Sequence, residues 1–376
     1  MQLFNEKSSP ISSVSILNTV NDNLPDESGL ITNKQVLEPD LGLSEAFEQY
    51  KVSYTSRDSV RGEVIREDTG AVFIPKAQPP KDGWPVIVWN HGTVGIAPSC
   101  APSLAPKNSR VSQYLNTWLS LGFTIVAPDY PGLGSSGLHH YMDERATAWS
   151  ALDSAKAVLK EFPLSNNFIF MGQSQGAHAA FASVGYQPEY APELNILGAI
   201  ITGTPYFSDN LLENFISDDI HDEGDRKLPY AIYLYLSAAD KNDALKAEDY
   251  FQELALPYVE KAKTLCISPL SQLVMDNKLN SSNSLKPKFK ELLEQESASL
   301  NYKKLLVNKP VFIGIGLSDI HVLTIWQQEF AADVLKAGTI AEVHEYADIG
   351  HLDVYNVSLR DSVPFVLELM KKENKK

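Results

Sequence analysis

Nowhere does this chain reach the roughly 18 consecutive apolar residues that a membrane-spanning helix needs, so no integral membrane segment is expected. It is also short of basic charge, with 32 Lys and Arg against 47 Asp and Glu and a formal net charge of −15. Phosphate backbones and anionic lipid are bound through basic clusters, so neither nucleic acid nor an acidic membrane surface is an expected partner. The acidic excess reads instead as a solvated surface that keeps the protein in solution. Cysteine is scarce: Cys100 and Cys266 by number alone allow two buried thiols or one long-range disulfide. Metal ligands are not grouped. His139-His140 is an adjacent pair, and no Cys or His cluster has ligand spacing, so no metal is expected. The chain has no internal repeat and no low-complexity tract beyond its Lys-rich tail. Residues Met1–Lys7 show no basic segment ahead of an apolar core, so no signal peptide is expected in the chain as it stands.

What is present suits a globular protein of one large domain with an insertion, or of two domains: 376 residues, 44% hydrophobic and 21% charged. Residues 1–45 are rich in Ser, Asn, Asp and Pro and predict an irregular arm. Short β-rich runs at Tyr50–Thr55, Val60–Ile65 and Gly70–Pro75 predict an antiparallel meander. Val86–Trp89 is a continuous apolar strand of the kind buried on both faces. Thereafter strand and helix alternate. Val111, Tyr114, Leu115, Trp118 and Leu119 mark one helical face, followed by a strand at Phe123–Ala127. Ala148, Leu152, Ala155, Leu159 and Phe162 mark a second helix, stopped by Pro163. Further strands are expected at Phe168–Met171, Ile196–Ile201, Val311–Gly316 and Ala341–Tyr346, with Pro188 beyond the end of the helix that follows the first of these. Such alternation means a mostly parallel sheet flanked by helices. It is interrupted by residues 207–307, mainly helical and polar, which are placed to be a cap over one edge of the sheet. The expected division is therefore an arm (1–45), a first core part (46–206), a cap (207–307) and a second core part (308–376).

The strand Phe168–Met171 runs into Gly172-Gln173-Ser174-Gln175-Gly176, and a small-residue helix follows at once. Gly-x-Ser-x-Gly between strand and helix fits a nucleophile elbow, a turn too tight for a Cβ at either glycine, with the serine held at strained dihedrals. A serine hydroxyl needs a base to take its proton and a carboxylate to orient that base. In this class of sheet the partners follow in the order Ser, Asp or Glu, His, each on a loop after a strand. His351, between the last strand and the last helix, meets that condition; Asp319, directly after Val311–Gly316, is the expected acid. Asp319 would equally suit the N-cap of a helix starting near Val322. Asp240 is the rival, because Ala231–Leu236 also looks like a strand, but it falls inside the cap region. His91, His178 and His321 compete with His351; the first two read as bonded structural histidines, and His321 as a minor rival. His91-Gly92-Thr93 follows a strand, so the N–H groups of Thr93 and Gln175 are the candidates for an oxyanion hole. Gly132–Gly137 is a literal G-x-G-x-x-G, but no acid stands where a ribose would need one. A turn passing close to the site is the better reading.

With these residues assembled, the chain resembles the secretory lipase family of α/β-hydrolases, the fungal lipase A type. The matching segments are Trp89–Gly95 with Cys100–Ser103, Val126–Gly134, Gly172–His178 and Tyr190–Leu194. The resemblance covers residues 50–205 well, the C-terminal third mainly through Asp319 and Ile349-Gly350-His351, and the cap least. It implies an α/β-hydrolase core, a helical cap between the sixth and seventh strands, and hydrolysis of carboxylic esters or lipids by Ser174, His351 and Asp319 without a cofactor. It further implies a Cys100–Cys266 disulfide and export to the periplasm or beyond the cell, with a cytoplasmic site left open. A serine peptidase or amidase and an acyltransferase use the same triad and stay open. A non-catalytic binding protein of hydrolase descent is disfavoured because the triad is complete. A monomer is the default.

Overall fold

The computed structural model describes residues 24–215 and 223–375. Nine strands form one sheet: β1 (Ile31–Val36), β2 (Ala46–Arg57), β3 (Ile65–Pro75), β4 (Trp84–Asn90), β5 (Thr124–Pro128), β6 (Leu164–Gln173), β7 (Ile196–Thr202), β8 (Val311–Gly316) and β9 (Ala341–Tyr346). Their order is β1-β2-β3-β5-β4-β6-β7-β8-β9. The first three strands pair antiparallel, as does β3 with β5, and every later pair is parallel. This is the α/β-hydrolase fold.

Helices cover both faces of the sheet. Helix α1 (Ser109–Ser120) packs Tyr114, Leu115, Trp118 and Leu119 on one face, joined there by Val366 of the C-terminal helix. Helices α2 (Glu144–Glu161) and α3 (Gln175–Tyr190) bury their Ala-rich sides on the other. Small side chains let α2 and α3 approach the sheet closely, so both faces of β4, β6 and β7 are sealed. Each large apolar side chain so buried contributes about 1.5–3 kcal/mol.

Between β7 and β8, adjacent in the sheet, the chain forms α4 (Asp209–Asn214), α5 (Leu228–Lys241), α6 (Ala247–Tyr250), α7 (Leu256–Ala262), α8 (Ile267–Asp276), α9 (Ser281–Ser284) and α10 (Lys288–Leu300). These helices have an apolar centre of their own, including Ile232, Tyr233, Phe251, Leu270 and Phe289. After β8 come α11 (Thr324–Lys336), α12 (Val354–Val357) and α13 (Leu359–Glu373), with β9 between the first two.

Four local expectations are corrected. The arm is not irregular throughout: Ile31–Val36 pairs with β2 as an edge strand. Its side chains are mostly exposed, so no apolar alternation marked it. Residues 1–23 of the arm lie outside the described residues. Val60–Val64 is a turn, not a strand. Asp58 accepts the N–H groups of Val60 and Arg61, and Gly62 and Glu63 take left-handed dihedrals (φ 87° and 62°) that overrule the β-branched residues. Pro188 lies inside α3, in its last turns, where it forfeits only one helical bond. Ala231–Leu236 belongs to α5, a helix of 14 residues. Apolar at nearly every position, it is buried all round, and periodicity cannot separate that case from a strand.

Candidate active site

β6 delivers Gly172 and Gln173 to the same level as Asn90 of β4 and Thr202 of β7. The chain reverses into α3 at Ser174, whose φ of 58° and ψ of −126° lie in a region non-glycine residues avoid. Close approach dictates the two flanking glycines. A Cβ on Gly172 would sit 1.9 Å from the Gly176 carbonyl oxygen, and one on Gly176 would sit 1.9 Å from that of Asn90. Ser174 N donates to Thr202 O at 3.0 Å, tying the elbow to the neighbouring strand end. Helix α3 begins at Gln175, so its first N–H groups have no partner within the helix and its positive dipole end faces the serine.

The turns after β8 and β9 are stitched together: Leu317 N donates to Tyr346 O (3.0 Å) and Ser318 N to Ile349 O (2.9 Å). This brings His351 Nδ1 to 2.6 Å from Asp319 Oδ2, both residues buried. The Asp319 carboxylate also accepts the N–H groups of His321 (2.9 Å) and Val322 (3.0 Å) and the side-chain amide of Gln327 (2.8 Å). A carboxylate only accepts, so Nδ1 of His351 carries a proton, and in the neutral ring Nε2 is the accepting nitrogen. Asp319 thus serves the turn before α11 and the histidine together. The histidine loop is secured a second way, by Gln173 Nε2 donating to His351 O at 3.0 Å. The His351 ring also packs on Gly203, where a Cβ would come within 3.1 Å of it.

The rivals are accounted for by their contacts. Asp240 lies on α5, where it accepts from His140 (2.9 Å) and Arg61 (2.6 Å). His91 is bonded to the carbonyls of Gly92 and Asp129 and stacks on Tyr130. His178 is bonded to Leu300 O, and burial pushes it down to about 4. His321 lies 5.3 Å ring to ring from His351; burial, then the neighbouring imidazole, lowers its pKa. The G-x-G-x-x-G segment is a turn with Gly132, Gly134 and Gly137 all at positive φ.

Ser174 and His351 both line two cavities. The larger, about 410 Å³, also takes in Thr93, Tyr230, Ile267 and Leu352. The smaller, about 50 Å³, is walled by Tyr141, Phe207, Phe215 and Trp326. Thr93 lies in the loop after β4 with its hydroxyl 2.9 Å from that of Tyr141. Cys100 and Cys266 form a disulfide with their Cα atoms 5.5 Å apart. Next to it Ile267 N donates to Val94 O (2.8 Å), so α8 is fastened to the loop that carries Thr93. Among the described residues no group of three or more His, Cys, Asp or Glu side chains is arranged to hold a metal, and no helix is long and apolar enough to cross a membrane.

Gln173, Gln327 and Tyr141 went unnoticed in the sequence. Only Gln173 carried a signal, its place inside the elbow motif; the other two touch the site through contacts with no local pattern.

Compared with known proteins, the chain matches the secretory lipase family model over residues 111–213. Lipase A of Moesziomyces aphidis is 29% identical over 172 residues, 42% of this chain and 34% of that one. The chain therefore matches about a third of the length of this curated relative. Two solved structures share the fold. Lipase A of Candida antarctica in its closed state has a TM-score of 0.75 at 18% identity, covering 92% of this chain and 83% of that one. The rice cell wall degrading esterase LipA of Xanthomonas oryzae has a TM-score of 0.71 at 17% identity, covering 91% and 98%. The resemblance to secretory lipases read from the motifs thus reappears in the family model over residues 111–213 and in a relative's sequence.

Proposed function

We propose that this protein is a serine carboxylic-ester hydrolase, an esterase or lipase. The observation that carries the reading is the 2.6 Å bond from His351 Nδ1 to Asp319, on a ring that shares both cavities with Ser174. Ser174 Oγ attacks the ester carbonyl while His351 Nε2 takes its proton, and Asp319 holds the resulting imidazolium. The oxyanion is met by the N–H groups of Thr93 and Gln175, each such donor lowering the barrier by about 2.7–4 kcal/mol. His351 returns the proton to the leaving alcohol. Water, activated by the same imidazole, then frees the acyl-enzyme.

The cavity of about 410 Å³ is of a size that holds a small-molecule ester or a lipid chain end. The helices between β7 and β8 act as a cap, a role supported by Leu211, Tyr230 and Ile267 lining the two cavities. Export is supported by the secretory lipase match and by a disulfide, which persists in oxidising compartments.

The test is a panel of p-nitrophenyl esters from acetyl to palmitoyl beside an anilide, with a serine-directed phosphonate and with Ser174→Ala. Ester turnover abolished by both the phosphonate and the substitution is expected. Cleavage of the anilide alone would replace the reading with a peptidase or amidase, and transfer to an added alcohol in preference to water with an acyltransferase.

A further inference from the structure

The tripeptide His139-His140-Tyr141 lies between the glycine-rich turn and α2. Two of its side chains end on the two residues assigned to the oxyanion hole. His139 Nε2 is 2.7 Å from Gln175 Nε2, and the Tyr141 hydroxyl is 2.9 Å from Thr93 Oγ1. The direction of the first bond is fixed. His139 Nδ1 lies 3.0 Å from the Pro131 carbonyl, which can only accept, so Nδ1 holds the proton and Nε2 receives the Gln175 amide. Burial pushes His139 down to about 3, so this tautomer persists through the neutral range.

The same tripeptide is held from its other side by α5. Tyr141 N donates to Ser237 Oγ at 2.7 Å, and His140 Nε2 is bonded to Asp240 at 2.9 Å. The Tyr141 ring packs against Tyr230 and Tyr233 of that helix, at 6.4 and 5.7 Å between centroids. One short segment therefore touches α5 on one side and both oxyanion residues on the other.

We infer that His139 and Tyr141 are positioning residues for the oxyanion hole, and that α5 couples to the chemical step by fixing where they stand. The inference rests on the ester-hydrolase reading. Donors stabilise an oxyanion only from about 2.7–3.1 Å, and an error of about 1 Å costs on the order of a hundredfold in rate. Gln175 has α3 to hold it, whereas Thr93 lies in an irregular loop, so the Tyr141 contact carries the greater share.

The experiment compares wild type, Ser174→Ala, Tyr141→Phe, Thr93→Val, Thr93→Ser and Thr93→Val/Tyr141→Phe on p-nitrophenyl butyrate. Each is also titrated with a trifluoromethyl ketone, which forms a tetrahedral oxyanion on the serine. Tyr141→Phe removes one oxygen and keeps the ring. We expect kcat to fall roughly tenfold with KM within about twofold, and ketone affinity to fall by the same factor. Thr93→Ser, which keeps the hydroxyl, loses less kcat than Thr93→Val, and the double variant is no slower than Thr93→Val alone. Ser237→Ala, which removes one of the contacts from α5, shows a smaller loss of the same kind and stands in should Tyr141→Phe fail to fold. Wild-type kcat and ketone affinity in Tyr141→Phe, or losses that multiply in the double variant, overturn the inference alone. A wild type with no Ser174-dependent turnover overturns the ester-hydrolase reading and this inference with it.

Discussion

Asp319→Asn is the substitution that isolates what the buried carboxylate does. Alanine would leave the N–H groups of His321 and Val322 and one N–H of the Gln327 amide without an acceptor, at about 1–3 kcal/mol each, and would confuse stability with chemistry. Asparagine keeps the shape. Its oxygen must stay with the two main-chain N–H groups, since an amide nitrogen cannot accept from them. That turns the NH₂ toward His351 Nδ1, now 2.6 Å from the carboxylate, and toward Gln327. Two donors cannot share one hydrogen bond, so His351 must move its proton to Nε2, where it faces the serine side and can no longer accept. Gln327 cannot readily relieve the conflict by turning over, because its amide nitrogen also donates to Val322 O at 2.7 Å. The same change in a protease triad lowers kcat by about 10⁴, which corresponds to about 5.5 kcal/mol in the barrier. We expect a loss of that order on p-nitrophenyl butyrate, with KM little changed and a matching fall in the rate of phosphonate inactivation. The near-ultraviolet circular dichroism should be unaltered. A folded Asp319→Asn within tenfold of wild-type kcat would refute the argument that this carboxylate sets the tautomer. So would an equal loss in Asp240→Asn, whose carboxylate is bonded to Arg61 and His140.

Two further outcomes are expected. The Cys100–Cys266 bond closes a loop with a sequence separation of 166, worth up to about 5 kcal/mol in the chain-entropy model. Iodoacetamide without reductant should modify neither cysteine, and Cys266→Ser should lower the denaturant midpoint by a corresponding amount; ready labelling of both thiols in the native protein would refute this. Glu144 is buried, and this, against bonds from Lys303 N and the Tyr186 hydroxyl, raises its pKa from 4.5 to about 7. The folded chain therefore binds more protons than the unfolded one between those values, so this group's contribution is full below about pH 4.5 and is lost as pH rises to about 7. The loss is on the order of 3 kcal/mol, so the stability of Glu144→Gln relative to wild type should improve from pH 5 to pH 7.5. Parallel unfolding curves for the two proteins across that range would show that Glu144 does not titrate in this way.

Much of this molecule was legible in its residues because the relevant physics is local. Alternation of apolar strands with 3.6-residue periodicity is decided within a dozen residues, and it specified a parallel sheet covered by helices. Gly172 and Gly176 marked the elbow for the same reason: the backbone comes within 1.9 Å of where their side chains would be, inside one short turn and its neighbouring strand. Where local signals failed, a distant or competing contact had decided the outcome. β1 is held by main-chain bonds to β2 and shows mostly exposed side chains. Ala231–Leu236 is helical because α5 is surrounded by the other helices of its segment, not because its own pattern says so.

Chain order and loop position nominated Ser174, Asp319 and His351, but they say nothing of distance. That Asp319 meets His351 follows from β8 lying beside β9 and from the bonds between their two turns. The partners that hold the candidate groups in place are farther still. Tyr141 reaches Thr93 across 48 residues of chain and Ser237 across 96. Propensity acts on neighbours in the chain, whereas packing acts on neighbours in space. The sequence by itself determined the sheet, the elbow and the kinds of side chain available; the folding of loops against α5 and against each other decided which of those side chains face one another.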